Sequence, residues 1–278
     1  MFSPGLGLAI DDMGTHARPE KERLDRVLVA RGLAQSRDVA VRMVLAGEVR
    51  LDGAIADKPA KLIAVDAAID VVSHSSRYVS RGGEKLIAAL EAGAVATDGL
   101  ICLDVGCSTG GFTDCLLQRG ARRVYAVDVG YGQFDWKLRQ DPRVVLLERT
   151  NIRYVDRSLI PEPVDLVVID VSFISLTMVL PPIIQFLKPG ARVIALVKPQ
   201  FEVGKGQVGR GGIVREESQR QSVLQRVIAC GADLGLMTTI TLDAPIKGKK
   251  GNLEMLAILE YSHPIRDMKE AGSRNGFL

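Results

Sequence analysis

The segment that most clearly indicates the fold is Ile101-Cys-Leu-Asp104-Val-Gly-Cys-Ser-Thr-Gly-Gly-Phe112. Its first half is mostly apolar, as in a buried strand. Its second half is rich in glycine, which lets a backbone turn sharply and approach a ligand. Helical spacing of apolar residues resumes directly afterwards. A strand, a glycine-rich loop and a helix in this order predict the first unit of a nucleotide-binding parallel sheet.

Strands and helices alternate on the C-terminal side of this loop. The pattern predicts strands at residues 101–105, 123–129, 144–147, 166–170 and 193–197, and helices at 112–119, 176–187 and 216–234. A last pair of apolar segments, 237–242 and 253–261, predicts a closing hairpin. Alternation of this kind is typical of α/β domains, and the hairpin is typical of methyltransferase sheets. We therefore predict a Rossmann-like class I methyltransferase sheet.

The glycine-rich loop favours S-adenosylmethionine over a dinucleotide, because it lacks the second glycine of the G-x-G-x-x-G spacing. A methyltransferase needs one acidic residue near the methionine amine and another, after the second strand, for the ribose hydroxyls. Asp104 and Asp128 have these places, although a single aspartate after a strand caps a loop equally often. The predicted cofactor-binding residues are Asp104, Gly106, Ser108, Thr109, Gly110, Gly111, Phe112, Asp128 and Asn151.

A small α+β module is predicted at residues 22–80, after a loose tail at residues 1–21. One helix starts near Leu24, and Ser36 and Gly47 suit the two ends of a second helix. Short strands follow at 49–51 and 69–72. Basic residues recur on the helices and in the next loop, a pattern suited to a phosphate backbone but also to a solvated surface. They are Arg23, Arg26, Arg31, Arg37, Arg42, Lys58 and Lys61.

This module resembles the S4 RNA-binding domain. The resemblance rests on Arg23-Leu-Asp, Gly32, Ser36-Arg, Gly47-x-Val and Asp52-Gly in that order. It implies that Arg23, Arg26, Arg37 and Arg42 bind RNA.

Lys198 follows an apolar strand and precedes a proline, which predicts that it lies at the carboxyl edge of the sheet with Asp170. Singly, such a lysine is more often a solvated surface residue. Four motifs in order are more specific: Ser80-Arg-Gly-Gly-Glu-Lys85, Val168-Ile-Asp170-Val-Ser-Phe-Ile-Ser175, Leu196-Val-Lys198-Pro-Gln-Phe-Glu-Val-Gly204-Lys-Gly206 and Gly251-Asn-Leu-Glu254.

Together these motifs resemble the TlyA family over about residues 22–262. Proteins of that family join an S4 domain to an FtsJ-like methyltransferase domain, which here would span residues 81–262, with a tail at 263–278. The resemblance implies 2′-O-methylation of cytidines in ribosomal RNA. It also implies a catalytic tetrad of Lys85, Asp170, Lys198 and Glu254.

The chemistry explains such a tetrad, because a ribose hydroxyl must lose its proton as it attacks a methyl group. A lysine serves as the base only in its neutral form, which burial or a nearby cation favours. We expect Lys198 to be that base, the two acids to orient the lysines, and no metal to be required. Lys205 and Arg210, in the glycine-rich segment that follows, are candidate RNA contacts, although a plain surface loop fits nearly as well.

Composition and charge limit the possible partners, cellular location and metal sites of the protein. The chain has 278 residues, 47% of them hydrophobic and 25% charged, and a net charge of +3. The small charge leaves a nucleic-acid partner to be read from the position of the basic residues. No segment resembles a signal peptide or a membrane span, so we expect a cytoplasmic protein with ribosomal RNA or ribosomal subunits as partner. The four cysteines form no C-x-x-C pair, which favours buried thiols over a metal site.

Two other functions stay open at this point. The chain could be an RNA-binding protein whose methyltransferase-like domain is inactive. The older name of the family, haemolysin, also suggests a membrane-active toxin, although the sequence shows no spanning segment. The sequence does not indicate an oligomeric state.

Overall fold

A computed structural model describes residues 20–71, 77–204, 206, 208–209, 211–248 and 250–262. The predicted C-terminal tail, most of the N-terminal tail, Lys205 and Arg210 lie outside the described residues. Within the described ranges the chain forms a small N-terminal α+β module and a larger C-terminal α/β domain, as predicted.

The N-terminal module contains two helices and five short strands. In chain order these are β1 (Lys21–Arg23), α1 (Leu24–Ala30), α2 (Arg37–Ala46), β2 (Val49–Leu51), β3 (Ala54–Ile55), β4 (Leu62–Ala64) and β5 (Ile69–Val71). The Ser36 hydroxyl accepts a hydrogen bond from the amide of Val39, and Gly47 ends α2 with a φ of 77°. Both predicted helix ends are thus confirmed. Strands β1, β3 and β4 were not predicted.

A seven-stranded sheet forms the centre of the C-terminal domain. Its strands are β6 (Ile101–Val105), β7 (Arg123–Val127), β8 (Val144–Leu147), β9 (Val164–Ile169), β10 (Leu187–Val197), β11 (Leu236–Asp243) and β12 (Met255–Tyr261). Their order in the sheet is β11-β12-β10-β9-β6-β7-β8, with β12 antiparallel to both of its neighbours. The predicted parallel sheet and closing hairpin are therefore confirmed.

Helices cover both faces of this sheet, which explains why its central strands are apolar throughout. The main helices are α3 (Gly82–Ala92), α4 (Gly111–Gln118), α5 (Trp136–Arg139), α6 (Leu180–Ile183), α7 (Pro199–Glu202) and α8 (Glu217–Asp233). The residues of β6, for example, are all buried. The five parallel strands end at one edge, called here the carboxyl edge, and the loops that follow them carry the predicted site residues.

The predicted helix at residues 176–187 is wrong. The structure has a 3₁₀ turn at Leu176–Met178, the single turn of α6, and a second 3₁₀ turn at Ile184–Phe186. Pro181 and Pro182 have no amide hydrogen, so a continuous helix would lose two of its hydrogen bonds there. Helix α3 was missed, because its first two residues are glycines, which are poor helix formers.

The N-terminal module packs against the carboxyl edge of the sheet. Arg42 of α2 forms an ion pair with Asp135, which caps α5, with 3.4 Å between Nη1 and Oδ2. The guanidinium of Arg81, just before α3, lies against the backbone of Gly47: a β-carbon added there would be 2.7 Å from its Nη2 atom. These contacts place the two modules around a shared space.

Candidate active site

A cavity of about 800 Å³ lies between the N-terminal module and the carboxyl edge of the sheet. Part of its wall is the loop after β6, called here the glycine loop (residues 106–111). Leu45, Ala46, Asp57 and Lys58 of the N-terminal module form another part. All four residues of the predicted tetrad also line it: Lys85, Asp170, Lys198 and Glu254. The cavity is therefore incomplete without the N-terminal module.

The tetrad forms two ion pairs. Lys198 Nζ lies 2.5 Å from Asp170 Oδ1, and Lys85 Nζ lies 2.5 Å from Glu254 Oε2. Each lysine side chain is 12% exposed, and Glu254 is buried. Lys198 also donates a hydrogen bond of 3.0 Å to Ser172 Oγ. Each carboxylate thus holds one lysine beside the cavity, and an orienting role of the two acids in catalysis stays a prediction.

Gln200 adds a further contact to this set. Its side-chain amide donates a hydrogen bond of 3.4 Å to Glu254 Oε1, the oxygen that Lys85 does not bind. Gln200 lies two residues after Lys198, so Glu254 contacts the groups that approach the cavity from α3 and from α7.

The glycine loop passes close to the end of β9. Gly106 has a φ of 85°, and a β-carbon there would lie 2.6 Å from the carbonyl oxygen of Asp170. Any larger residue would separate the loop from the tetrad. Ser108, Thr109, Gly111 and Phe112 also line the cavity, as expected for cofactor contacts. Gly110 instead packs near Leu138, where a β-carbon would be 2.5 Å from that side chain.

Asp104, at the fourth position of β6, is fully buried behind the glycine loop. Its Oδ2 atom accepts a hydrogen bond of 2.7 Å from the Thr113 hydroxyl, and its buried Oδ1 atom has no hydrogen-bond partner among the described residues. Burial raises the pKa of this carboxyl to about 7; the Thr113 hydrogen bond opposes this effect and the charge of Asp170 adds to it. A buried acceptor without a donor suits an incoming cation. The sequence pattern did not single out Thr113.

Asp128 and Asn151 bind backbone amides. The carboxylate of Asp128 accepts hydrogen bonds of 2.7 Å from the amides of Ser108 and Gly130. The side chain of Asn151 accepts one of 3.1 Å from the amide of Arg153 and caps a 3₁₀ turn. Neither residue is among those that line the cavity. Asp128 therefore connects the end of β7 to the glycine loop, and a direct role of either residue in cofactor binding stays a prediction.

Both parts of the chain match known protein families. Residues 78–261 match the model of the FtsJ-like methyltransferase family, and residues 22–69 match that of the S4 domain. The chain is 50% identical over 235 residues to the 16S/23S rRNA (cytidine-2′-O)-methyltransferase TlyA of Mycobacterium tuberculosis, covering 84% of this chain and 88% of the relative. This chain belongs to the TlyA family.

Two further relatives agree with the TlyA assignment. Hemolysin A of Brachyspira hyodysenteriae is 41% identical over 236 residues, which cover 84% of this chain and 98% of that protein. A solved structure of a protein from Streptococcus thermophilus, also named as a hemolysin, is 44% identical with a TM-score of 0.69, and the match covers 89% of this chain and 90% of that one. Within the described part of the chain, no helix has the length and apolar character needed to cross a bilayer.

The four arginines of the N-terminal module that were predicted to bind RNA all form ion pairs in the structure. Arg23 and Arg37 both contact the buried carboxylate of Asp25, at 2.8 and 3.0 Å. These contacts lower the pKa of Asp25 to about 2; the hydrogen bond from Arg23 contributes most and burial opposes it. Arg42 forms the ion pair with Asp135, and Arg26 lies 3.6 Å from Glu22 on the exposed face of α1. Stabilising the module is thus one function of Arg23 and Arg37.

A buried carboxylate at Glu202, which the sequence did not indicate as functional, connects two of the family motifs. Its two oxygens accept hydrogen bonds of 2.7 Å from the Ser175 hydroxyl and from the amide of Leu176. Ser175 closes the loop that starts at Asp170, and Glu202 ends the helix that starts after Lys198. We call these two hydrogen bonds the Glu202 clasp. They hold together the segments that carry one ion pair of the tetrad.

Phe173 is a second residue that the sequence did not indicate as functional. Its side chain is 89% exposed and its φ is 64°, an unfavourable backbone conformation for a bulky residue. Its ring lies 4.8 Å from that of Phe201 at an angle of 48°, and both residues line the cavity. The signal available in the sequence was an aromatic residue in the segment Ser172-Phe-Ile-Ser175, just after a predicted strand. Exposed aromatic rings at nucleic-acid sites commonly stack on unpaired bases.

Cys102, Cys107 and Cys115 belong to the core of the C-terminal domain. Burial raises the pKa of all three thiols. The prediction of buried thiols is therefore confirmed for these three cysteines, whereas Cys230 is only half-buried.

Proposed function

We propose that this protein transfers a methyl group from S-adenosylmethionine to the 2′-hydroxyl of cytidines in ribosomal RNA. The observation that carries the proposal is the arrangement of the two lysine–carboxylate pairs, which face one cavity beside the glycine loop. The relative in M. tuberculosis, 50% identical, is named for this reaction.

The residues of the loop fit the cofactor. S-adenosylmethionine supplies an electrophilic methyl group when it is bound. The unpartnered Oδ1 atom of Asp104 suits its methionyl ammonium, while Ser108, Thr109 and Phe112 provide the wall of the cavity. Each carboxylate oxygen of Asp128 accepts one backbone hydrogen bond and keeps a second lone pair, with which it could accept a hydrogen bond from a ribose hydroxyl.

The chain's own groups then position the hydroxyl and receive its proton. Lys198 is the general base in this proposal, and Asp170 fixes its Nζ atom beside the cavity. Lys85, held by Glu254, places a second positive charge in the same cavity, which stabilises the negative charge that develops on the attacking oxygen. Positioned bases commonly contribute about 10² to 10⁴-fold to the rate.

The N-terminal module would anchor the RNA and bring its target to the cavity. The S4 match at residues 22–69 supports RNA binding, and the ring of Phe173 is placed to stack on an unpaired base. Ribosomal subunits are the proposed physiological partner, which implies a location in the cytoplasm.

Two measurements test the proposal against an inactive RNA-binding protein. We expect calorimetry to detect S-adenosylmethionine binding, and labelled methyl groups to be transferred to ribosomal RNA by the parental protein but not by Lys198→Ala. Cofactor binding without transfer to ribosomal RNA or to ribosomal subunits would contradict the proposed reaction.

A further inference from the structure

The guanidinium of Arg81 forms no ion pair with any residue that the structure describes. It lines the cavity, and among the described residues it donates no hydrogen bond and forms no ion pair; its Nε atom is buried and unpartnered. A guanidinium has five N–H donors. Placing a full charge in a partly buried position, with the Nε donor buried and unpartnered, is unfavourable unless a ligand compensates.

The groups around Arg81 do not neutralise it. Burial lowers the pKa of its guanidinium, the charge of Glu254 opposes this effect, and the charge of Arg50 adds to it. The carboxylate of Glu254 is already bound by Lys85 at 2.5 Å. The structure therefore holds the charge of Arg81 in place without a carboxylate of its own.

The location of Arg81 indicates the class of ligand. Its guanidinium lies against the backbone of Gly47 in the S4 module, at the seam between the RNA-binding module and the tetrad. Five cationic side chains and three carboxylates from the described residues line the cavity, so the lining has an excess of positive charge. Lys58 of the S4 module and Lys250 are among these cations. A polyanion that extends from the module into the cavity would pass this seam.

We propose that Arg81 binds a phosphate of the RNA next to the target nucleotide. This inference rests on the proposed RNA substrate. A guanidinium matches a phosphate with two parallel hydrogen bonds, a geometry that a lysine cannot reproduce. The same contact would hold the nucleotide at the entrance of the cavity while Lys85 and Lys198 act inside it.

The salt dependence of RNA binding tests this subsite. Binding of labelled ribosomal RNA is measured at several salt concentrations for the parental protein, Arg81→Ala and Arg81→Lys. Each phosphate contact contributes about 0.7 to 0.9 to the slope of log affinity against log salt. We expect Arg81→Ala to reduce the slope by that amount, and Arg81→Lys to keep the slope but to bind more weakly than the parental protein.

Arg122→Ala is the matched control, because Arg122 is exposed and precedes β7 at the opposite edge of the sheet. It should leave the slope unchanged. Calorimetry with S-adenosylmethionine should give the parental affinity for all variants. The melting temperature of Arg81→Ala should not fall, because no contact with a described acceptor is lost.

Three results would overturn the phosphate subsite. One is an unchanged slope in Arg81→Ala. Another is a loss of cofactor affinity with an unchanged slope, which would assign Arg81 to the cofactor's carboxylate. The third is a lowered melting temperature together with weaker RNA binding, which would make the residue structural. Because binding is measured without methyl transfer, absence of ribosomal RNA methylation would contradict the proposed function and leave this result standing.

Discussion

Lys198 and Asp170 form an ion pair with 2.5 Å between Nζ and Oδ1, although 28 positions separate them in the chain. They follow the neighbouring parallel strands β10 and β9, so the sheet itself brings them together. The Asp170 backbone also lies against Gly106 of the glycine loop. The lysine that we assign as the base is thereby placed at the junction of the proposed cofactor and substrate sites.

Replacing Lys198 should show whether the residue accepts a proton or acts only through its positive charge. We expect both Lys198→Ala and Lys198→Arg to lose methyl transfer in single-turnover assays, because arginine keeps the charge but does not release its proton. Cofactor and RNA affinities, measured separately, should stay near parental values. Near-parental transfer by Lys198→Arg would show that the residue positions the substrate as a cation and is not the base.

Asp104→Asn should stabilise the protein without cofactor. The folded-state pKa of Asp104, about 7, lies above its ordinary value of about 3.9. Its stabilising contribution is therefore fully present below about pH 4 and is lost as the pH rises through about 7. The melting temperature of the variant should exceed the parental value increasingly from pH 4 to 7, while the stabilisation by S-adenosylmethionine should disappear. An equal cofactor-induced shift in both proteins would contradict the assignment of Asp104.

Asp25→Asn should destabilise the S4 module above pH 4. The pKa of Asp25 is about 2 in the folded state, so its contribution, about 2 kcal/mol, is present above its ordinary pKa and is lost as the pH falls from about 4 to about 2. At pH 7 the amides of α1 should therefore exchange hydrogen faster in the Asp25→Asn variant than in the parental protein. A pH-independent difference between the variant and the parental protein would argue against the ion pairs with Arg23 and Arg37.

These ion pairs also determine which arginine tests RNA binding by the S4 module. Replacing Arg23 or Arg37 leaves the buried Asp25 with one cation, so reduced binding in such variants would include a loss of stability. Arg26 is exposed and pairs only with Glu22 at 3.6 Å. Among Arg23, Arg26 and Arg37, the informative variant is therefore Arg26→Ala.

The Glu202 clasp should be required for catalysis through hydrogen bonding and not through charge. Glu202→Ala breaks both hydrogen bonds, and a displacement of the loop that starts at Asp170 should lower kcat by about tenfold to a hundredfold with little change in cofactor affinity. Glu202→Gln should restore activity, because its amide oxygen can accept from Leu176 and its NH₂ group can donate to Ser175. Equal activities of the alanine and glutamine variants would contradict this role.

The sequence predicts the contacts that follow from a regular sheet better than those that depend on tertiary packing. The bounds of β6 and β8 agree with the prediction, and Asp170 and Lys198 were expected at one edge because they end parallel strands. The pair of Lys85 and Glu254, 169 positions apart, followed only from the family resemblance. No periodicity places α3 beside β12.

The seam between the modules was not predictable from the pattern of residues. Arg42 and Asp135 lie in different modules, and neither has a neighbour in sequence that identifies the other as its partner. The role inferred for Arg81 follows only from the structure, because the tertiary fold determines which charged groups surround a side chain. The Glu202 clasp was not predictable either, because the sequence does not show which glutamate is buried.

The position of the transferred methyl group distinguishes methylation of the ribose 2′-oxygen from methylation of a base. Ribosomal RNA is incubated with the protein and S-adenosylmethionine, and modified sites are mapped by their resistance to alkaline cleavage, which requires a free 2′-hydroxyl. We expect new resistant sites at cytidines, absent with Lys198→Ala and absent when the target carries a 2′-deoxyribose. Methyl groups found on bases, or transfer that persists on the 2′-deoxy target, would contradict it.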